Sequence, residues 1–230
     1  MAGNRKELNL ELNRVEGDLA LKLTVDGNQI VDARAVGLMY RGFEQILIGR
    51  PARDGLVITP RICGICGTAH LYAAVTALES AWQCPVAENG TRIRNLCLMT
   101  EEVQSDARHT FLMFAIDLCN QRYSHHPLSP QIIAAFAPFR GTIYGETIRH
   151  SKQLLEIVAL FGGQWPHSSY MIPGGVTTVR SRKELLRALG ILDTYLHWYE
   201  TSVLGCASER WLALRTPGDF EVWLAESPAH

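Results

Sequence analysis

The apolar residues of this chain change their repeat at Gly42, and that change limits the fold more than any other feature. Before it they alternate with polar residues. Leu8, Leu10 and Leu12 form one set, Leu19, Leu21, Leu23 and Val25 a second, and Ile30 to Val36 a third apolar run. A side chain that recurs every second residue lines one face of a strand. Asp26-Gly27-Asn28 supplies a turn tolerant of positive φ, and Gly17 marks the bend between the first two sets, so an antiparallel meander is expected. Beyond Gly42 the spacing becomes helical. A short helix is expected at Phe43 to Ile48, closed by Gly49, another from about Cys66 to Trp82, and a long one from about Thr91 to Leu118. A further helix begins near Ser181, where Ser181-Arg182-Lys183-Glu184 fits a capping box and Leu185, Leu189, Leu192 and Leu196 lie on one face. Tyr123 to Pro138 and Gly162 to Gly175, rich in Pro, Gly and His, read as ordered loops. The expected fold class is α+β in one unit: a small N-terminal antiparallel sheet over residues 1–40, then long packed helices with ordered loops over residues 43–230.

Charge excludes one large class of partner. Lys and Arg number 22 against 23 Asp and Glu, a formal net charge of −1, so no basic excess argues for nucleic acid. Apolar runs such as Phe111 to Ile116 are cut far short of the ~18 residues of a membrane span. The first seven residues lack the apolar stretch of a secretory signal. The expected location is the cytoplasm, with any membrane association made through partner subunits.

Six cysteines in 230 residues are too sparse for a disulfide scaffold, and only Cys63 and Cys66 are close together. Such a pair in a cytoplasmic chain points to metal or redox chemistry. If Arg61-Ile62-Cys63-Gly64-Ile65-Cys66-Gly67-Thr68-Ala69-His70 winds into a helix, Cys63, Cys66 and His70 face the same way. Two thiolates on one turn suit a soft transition metal, Gly64 and Gly67 permit close approach of the backbone, and Arg61 places a positive charge beside the pair. A thioredoxin-like pair would need a buried parallel strand before it, and a structural zinc site commonly needs a second Cys-x-x-Cys; neither is present. Two inert buried cysteines are the bland alternative. On the residues alone the pair is half of a thiolate site whose other ligands lie elsewhere. Glu16 and Glu44, taken alone, read as ordinary surface carboxylates.

The stretch from Arg61 to His70 resembles the N-terminal cysteine motif of nickel–iron hydrogenase large subunits. The resemblance extends in order through Arg14-Val15-Glu16-Gly17, Arg41-Gly42-Phe43-Glu44, Gly49-Arg50 and Asp54, Ser105 to Leu112, Gly162-Gly163-Gln164-Trp165-Pro166-His167 and Pro173-Gly174-Gly175, with wording closest to the uptake or sensor-type branch. It implies that Cys63 is a terminal thiolate on nickel and that Cys66 bridges nickel to an iron carrying cyanide and carbon monoxide. It also implies that Glu16 is the first proton-transfer station and that Glu44 helps hold magnesium or a substitute ion. Arg61 and His70 would stand around the cofactor, His70 tuning the bridging sulfur. The activity implied is reversible oxidation of dihydrogen, with electrons passed to an iron–sulfur small subunit.

The family's second cysteine motif, Asp-Pro-Cys-x-x-Cys-x-x-His, has no counterpart in these 230 residues, and Asp18 stands where many members have His. The C-terminal half of the family fold is therefore expected from elsewhere, supplied in trans if the protein is split, and the chain is expected to be inactive without it. The alternatives are a non-catalytic remnant that binds a partner and a hydrogen-sensing regulatory subunit. The related quinone-reducing subunit of respiratory complex I lacks the metal-binding cysteines, so Cys63 and Cys66 argue against that relative.

Overall fold

The computed structural model describes residues 5–15 and 17–226, which separate into two compact units, Met1–Ile48 and Gly49–His230. The first is the expected meander. Strands β1 (Arg5–Leu12), β2 (Leu19–Asp26) and β3 (Gln29–Gly37) form one antiparallel sheet with β2 in the centre. Leu8, Leu10 and Leu12 pair with Leu23, Leu21 and Leu19, so the two alternating sets fall on the same face. The turn after β2 is made at Gly27, whose φ of 61° is a conformation that glycine adopts without steric cost. A register shift between Thr24 and Val25 marks a bulge in the pairing with β3. The one-turn helix α1 (Phe43–Ile46) follows, and the Arg41 guanidinium lies 4.9 Å over the Phe43 ring.

The second unit is helical. After α2 (Gly55–Ile58) come α3 (Gly67–Trp82), α4 (Glu88–Arg108), α5 (Ser129–Phe136), α6 (Thr142–Leu154) and α7 (Glu156–Gly162). A two-residue hairpin follows, β4 (Met171–Ile172) with β5 (Gly175–Val176), then α8 (Arg182–Trp198), α9 (Ser208–Leu212) and α10 (Pro217–Glu226). The core joins Leu71, Val75 and Leu78 of α3 to Cys97 of α4, Leu154, Ile157, Val158 and Phe161 of α6 and α7, and Met171 of β4. Each fully buried aliphatic side chain of this kind contributes about 1.5–3 kcal/mol. No helix among the described residues is long and apolar enough to cross a membrane.

The α+β class holds, with two corrections of detail. The long helix begins at Glu88 and is α-helical only to Arg108; it widens to a π-helix over His109–Phe114 and tightens to a 3-10 helix over Ala115–Cys119. The expected loop Tyr123 to Pro138 contains α5, started by Pro130 in its first turn, where a missing amide proton costs nothing. Of the leucine face of α8, Leu192 packs against the core, whereas Leu185, Leu189 and Leu196 are 51%, 54% and 47% exposed; Ala188, Tyr195 and Trp198 are buried. Trp198 decides that rotation. Its ring stacks on His150 of α6 at 4.7 Å, and its Nε1 donates to Glu146 Oε2 at 3.0 Å. The capping box is present as expected, with Ser181 N donating to Glu184 Oε2 at 2.8 Å and Glu184 N to Ser181 Oγ at 3.4 Å.

Candidate metal centre

Cys63 and Cys66 stand on a turn before α3 rather than on a helix, because the Cys63 sulfur takes the amides that a helix would need. Cys63 Sγ accepts from Ile65 N at 3.4 Å and from Cys66 N at 3.2 Å, and Cys66 caps α3. His70 lies one turn into α3, its amide donating to Cys66 O at 3.3 Å. The His70 ring makes no hydrogen bond among the described residues, and burial lowers its pKa. Arg61 ends the short 3-10 helix Thr59–Arg61, and its Nη1 donates to Val57 O. Gly67 permits the turn to fold back: a Cβ there would meet Pro60 O at 3.0 Å and His167 N at 3.7 Å. Gly64 is under no such restriction, its Cβ position lying 4.0 Å from His167 Cε1.

The turn is gripped from two sides. His167 Nδ1 lies 2.8 Å from Pro60 O, and since a carbonyl only accepts, Nδ1 carries the proton. On the other side Thr68 N donates to Glu101 Oε2 at 3.0 Å, and Trp165 Nε1 donates to Glu101 Oε1 at 3.1 Å. Burial raises the pKa of Glu101, while bonds from Trp165, Thr68 and Ala69 oppose it. Cys66, Ile65, Ala69 and Glu101 line a recess of about 400 Å³. Three larger recesses, of about 460, 510 and 610 Å³, lie between α4 and α6, along α4 and α8, and beside β5, and none reaches the cysteines.

The donor chemistry fits a thiolate-bound metal in part. Amide protons aimed at the Cys63 sulfur stabilise negative charge on it. Burial, a hydrogen bond with Cys63 and the charges of Cys63 and Glu101 push the Cys66 thiol up to about 12. Without a cation this thiol keeps its proton at neutral pH; a bound metal ion would remove it. Among the described residues no group of three or more His, Cys, Asp or Glu is placed to hold a metal. Glu44 is exposed in the first turn of α1, within the sheet unit. Glu16 lies outside the described residues.

A family model described as nickel-dependent hydrogenase matches residues 41–127, a range that holds both cysteines and Glu101. Over 182 residues the chain is 37% identical to the periplasmic NiFeSe hydrogenase large subunit of Desulfomicrobium baculatum, covering 73% of this chain and 35% of that one. The solved Ni-Fe-Se hydrogenase of D. vulgaris Hildenborough superimposes with a TM-score of 0.71 at 32% identity, over 88% of this chain and 44% of the other. This chain belongs to the nickel-dependent hydrogenase family. An uptake hydrogenase large subunit, from Bradyrhizobium diazoefficiens, is 25% identical over 213 residues, covering 71% of this chain and 36% of its own. The hydrogenase-family chain thus spans between a third and a half of the length of the relatives it matches.

Sequence reasoning singled out the cysteine pair of this hydrogenase relative but missed Glu101. A glutamate within the run Thr100-Glu101-Glu102 reads as solvated helix surface. The available signal was spacing: Arg94, Cys97, Glu101 and Gln104 recur at helical intervals with Cys97, an apolar residue, among them, and all four are buried.

Proposed function

We propose that this chain forms part of the catalytic subunit of a nickel–iron hydrogenase and supplies two cysteine ligands of its metal centre. The observation that carries this reading is the Cys63–Cys66 turn, clamped at Pro60 and Thr68, within the segment matched by the family. Cys63 would hold nickel as a terminal thiolate, and Cys66 would bridge nickel and iron. The remaining thiolates come from outside these 230 residues, on the same polypeptide or a separate one. Such a centre, when bound, supplies the electron-rich metals that heterolytic cleavage of dihydrogen requires, and the cyanide and carbon monoxide on its iron belong to the same proposal.

The residues of this chain would manage protons and position. Dihydrogen oxidation releases two protons and two electrons; Glu16 would take a proton at its carboxylate and pass it outward. The electrons would leave through an iron–sulfur small subunit. Glu44 would contribute a carboxylate oxygen to a magnesium or similar ion. The outward-facing leucines of α8 support an association with further polypeptide, since an apolar stripe of this kind loses exposed area when covered.

The test is to produce the chain with the products of its neighbouring genes, purify the complex and measure nickel and iron per chain. Stoichiometric metal that disappears in Cys63→Ala and Cys66→Ala is the expected result. A folded, partnered chain without either metal would overturn the catalytic reading.

A further inference from the structure

Two of the contacts that hold the cysteine turn meet on one buried side chain. Glu101 is 5% exposed and sits on the inner face of α4. One of its oxygens receives the amide of Thr68, two residues past Cys66, and the other receives the indole N–H of Trp165. Trp165 and His167 share a short loop, so the loop that anchors Pro60 through His167 also orients the carboxylate that anchors Thr68. Gln164 Nε2 donates to His167 O at 2.8 Å and keeps that loop closed.

The residue type is informative. The groups bonded to Glu101, from Thr68, Trp165 and Ala69, are all N–H donors, and an ionised carboxylate accepts them on its two oxygens. Glutamine in the same place would turn its own NH2 toward one of them, leaving two donors facing each other. A tether alone would not favour an ionisable group, because a buried carboxylate is costly without full pairing. When ionised, the carboxylate also puts negative charge on the wall that it shares with Cys66.

We propose that Glu101, oriented by Trp165, is a positioning residue for the Cys66 thiolate: it sets the conformation of the cysteine turn and biases the charge around its sulfur. The proposal rests on the metal-centre reading above and goes beyond it by assigning work to a residue pair that contributes no metal ligand. A negative charge beside a ligand sulfur stabilises the more oxidised metal. Removing it therefore raises the midpoint potential, whereas loosening its orientation alone changes the backbone first.

The experiment compares wild type, Glu101→Gln, Glu101→Asp and Trp165→Phe in the complex purified with its partner subunits. It reads nickel and iron per chain, the midpoint potential of the nickel paramagnetic signal, and amide hydrogen exchange of the peptide spanning Cys63 to Ala69. Expected for Glu101→Gln is a raised midpoint and a loss of about ten-fold or more in dihydrogen oxidation rate. Glu101→Asp, which keeps the charge, returns the midpoint toward wild type. Trp165→Phe accelerates exchange at Thr68 while retaining metal. A fully loaded Glu101→Gln complex with the wild-type midpoint overturns this proposal and leaves the metal centre standing. If Glu101→Gln fails to load, Trp165→Phe decides: wild-type exchange and midpoint there overturn it. A wild-type complex without nickel or iron removes the centre itself and this inference with it.

Discussion

Arg94 and Glu79 meet through two parallel hydrogen bonds, Nη1 to Oε2 at 3.0 Å and Nη2 to Oε1 at 2.7 Å, with both side chains buried. The pair does more than neutralise itself. Arg94 Nη2 also reaches Ile172 O and Gly175 O, each at 2.7 Å, and Glu79 Oε1 accepts Gly174 N at 2.9 Å. It thereby fastens the β4–β5 turn to α3 and α4. Arg94→Met leaves a carboxylate buried without its cation and should cost about 3–5 kcal/mol in denaturant unfolding. Replacing both partners with apolar residues should still destabilise, because three backbone groups of the turn lose their bonds. A double variant as stable as wild type would show that the turn finds other partners.

The same pair sets an acid limit. Arg94's hydrogen bonds hold the Glu79 carboxyl below the ordinary carboxylate range, with the Gly174 amide adding and burial opposing. A carboxyl depressed on folding contributes stability that is complete above its unfolded value of about 4.3 and is lost as pH falls through the folded value. Glu79→Gln should therefore be less stable than wild type near neutrality and show a shallower acid decline. Unfolding free energies measured from neutral pH downward decide it; two parallel curves would assign the acid limb to other carboxylates.

Two helical glycines should respond in opposite directions to alanine. At Gly90 in α4 a Cβ would stand 2.8 Å from Gly175 Cα, a backbone atom that cannot swing aside, so Gly90→Ala should destabilise by about 1–3 kcal/mol. At Gly190 in α8 nothing lies within 4 Å, and Gly190→Ala should stabilise by about 0.5–1 kcal/mol through helix propensity alone. Thermal unfolding of the two variants side by side checks the sign, and a shift in the same direction for both would contradict the packing described.

Ser181→Ala removes the acceptor for Glu184 N and should cost about 1 kcal/mol, while Ser181→Gly should cost only a few tenths. Local exchange in the first turn of α8 would report the loss. Unchanged exchange in both variants would mean that packing of Tyr195 and Trp198 alone sets where the helix begins.

Much of this molecule could be read along the chain. Alternation at Leu8 to Val25 determined the sheet, the capping box located α8, and the spacing of Cys63 and Cys66 with its flanking motifs pointed to the metal chemistry and the family. Each of these signals is local: a strand repeats every two residues, a helix every three or four, and a cap spans three. Other features depend on residues brought together from afar. Leu185, Leu189, Leu192 and Leu196 share one face in the sequence, but with Trp198 stacked on His150, from α6, only Leu192 of the four packs against the core. The cysteine turn escaped its helix because Cys63 Sγ captured nearby amides, and Pro60 was fixed by His167, 107 residues away. Glu101 acquired its place from Thr68 and Trp165, which lie 33 and 64 residues away. The sequence by itself determined the small sheet, the cap of α8 and the close cysteine pair. Only the tertiary structure decided which charged side chain faces that pair, because burying a carboxylate depends on donors that no local pattern specifies.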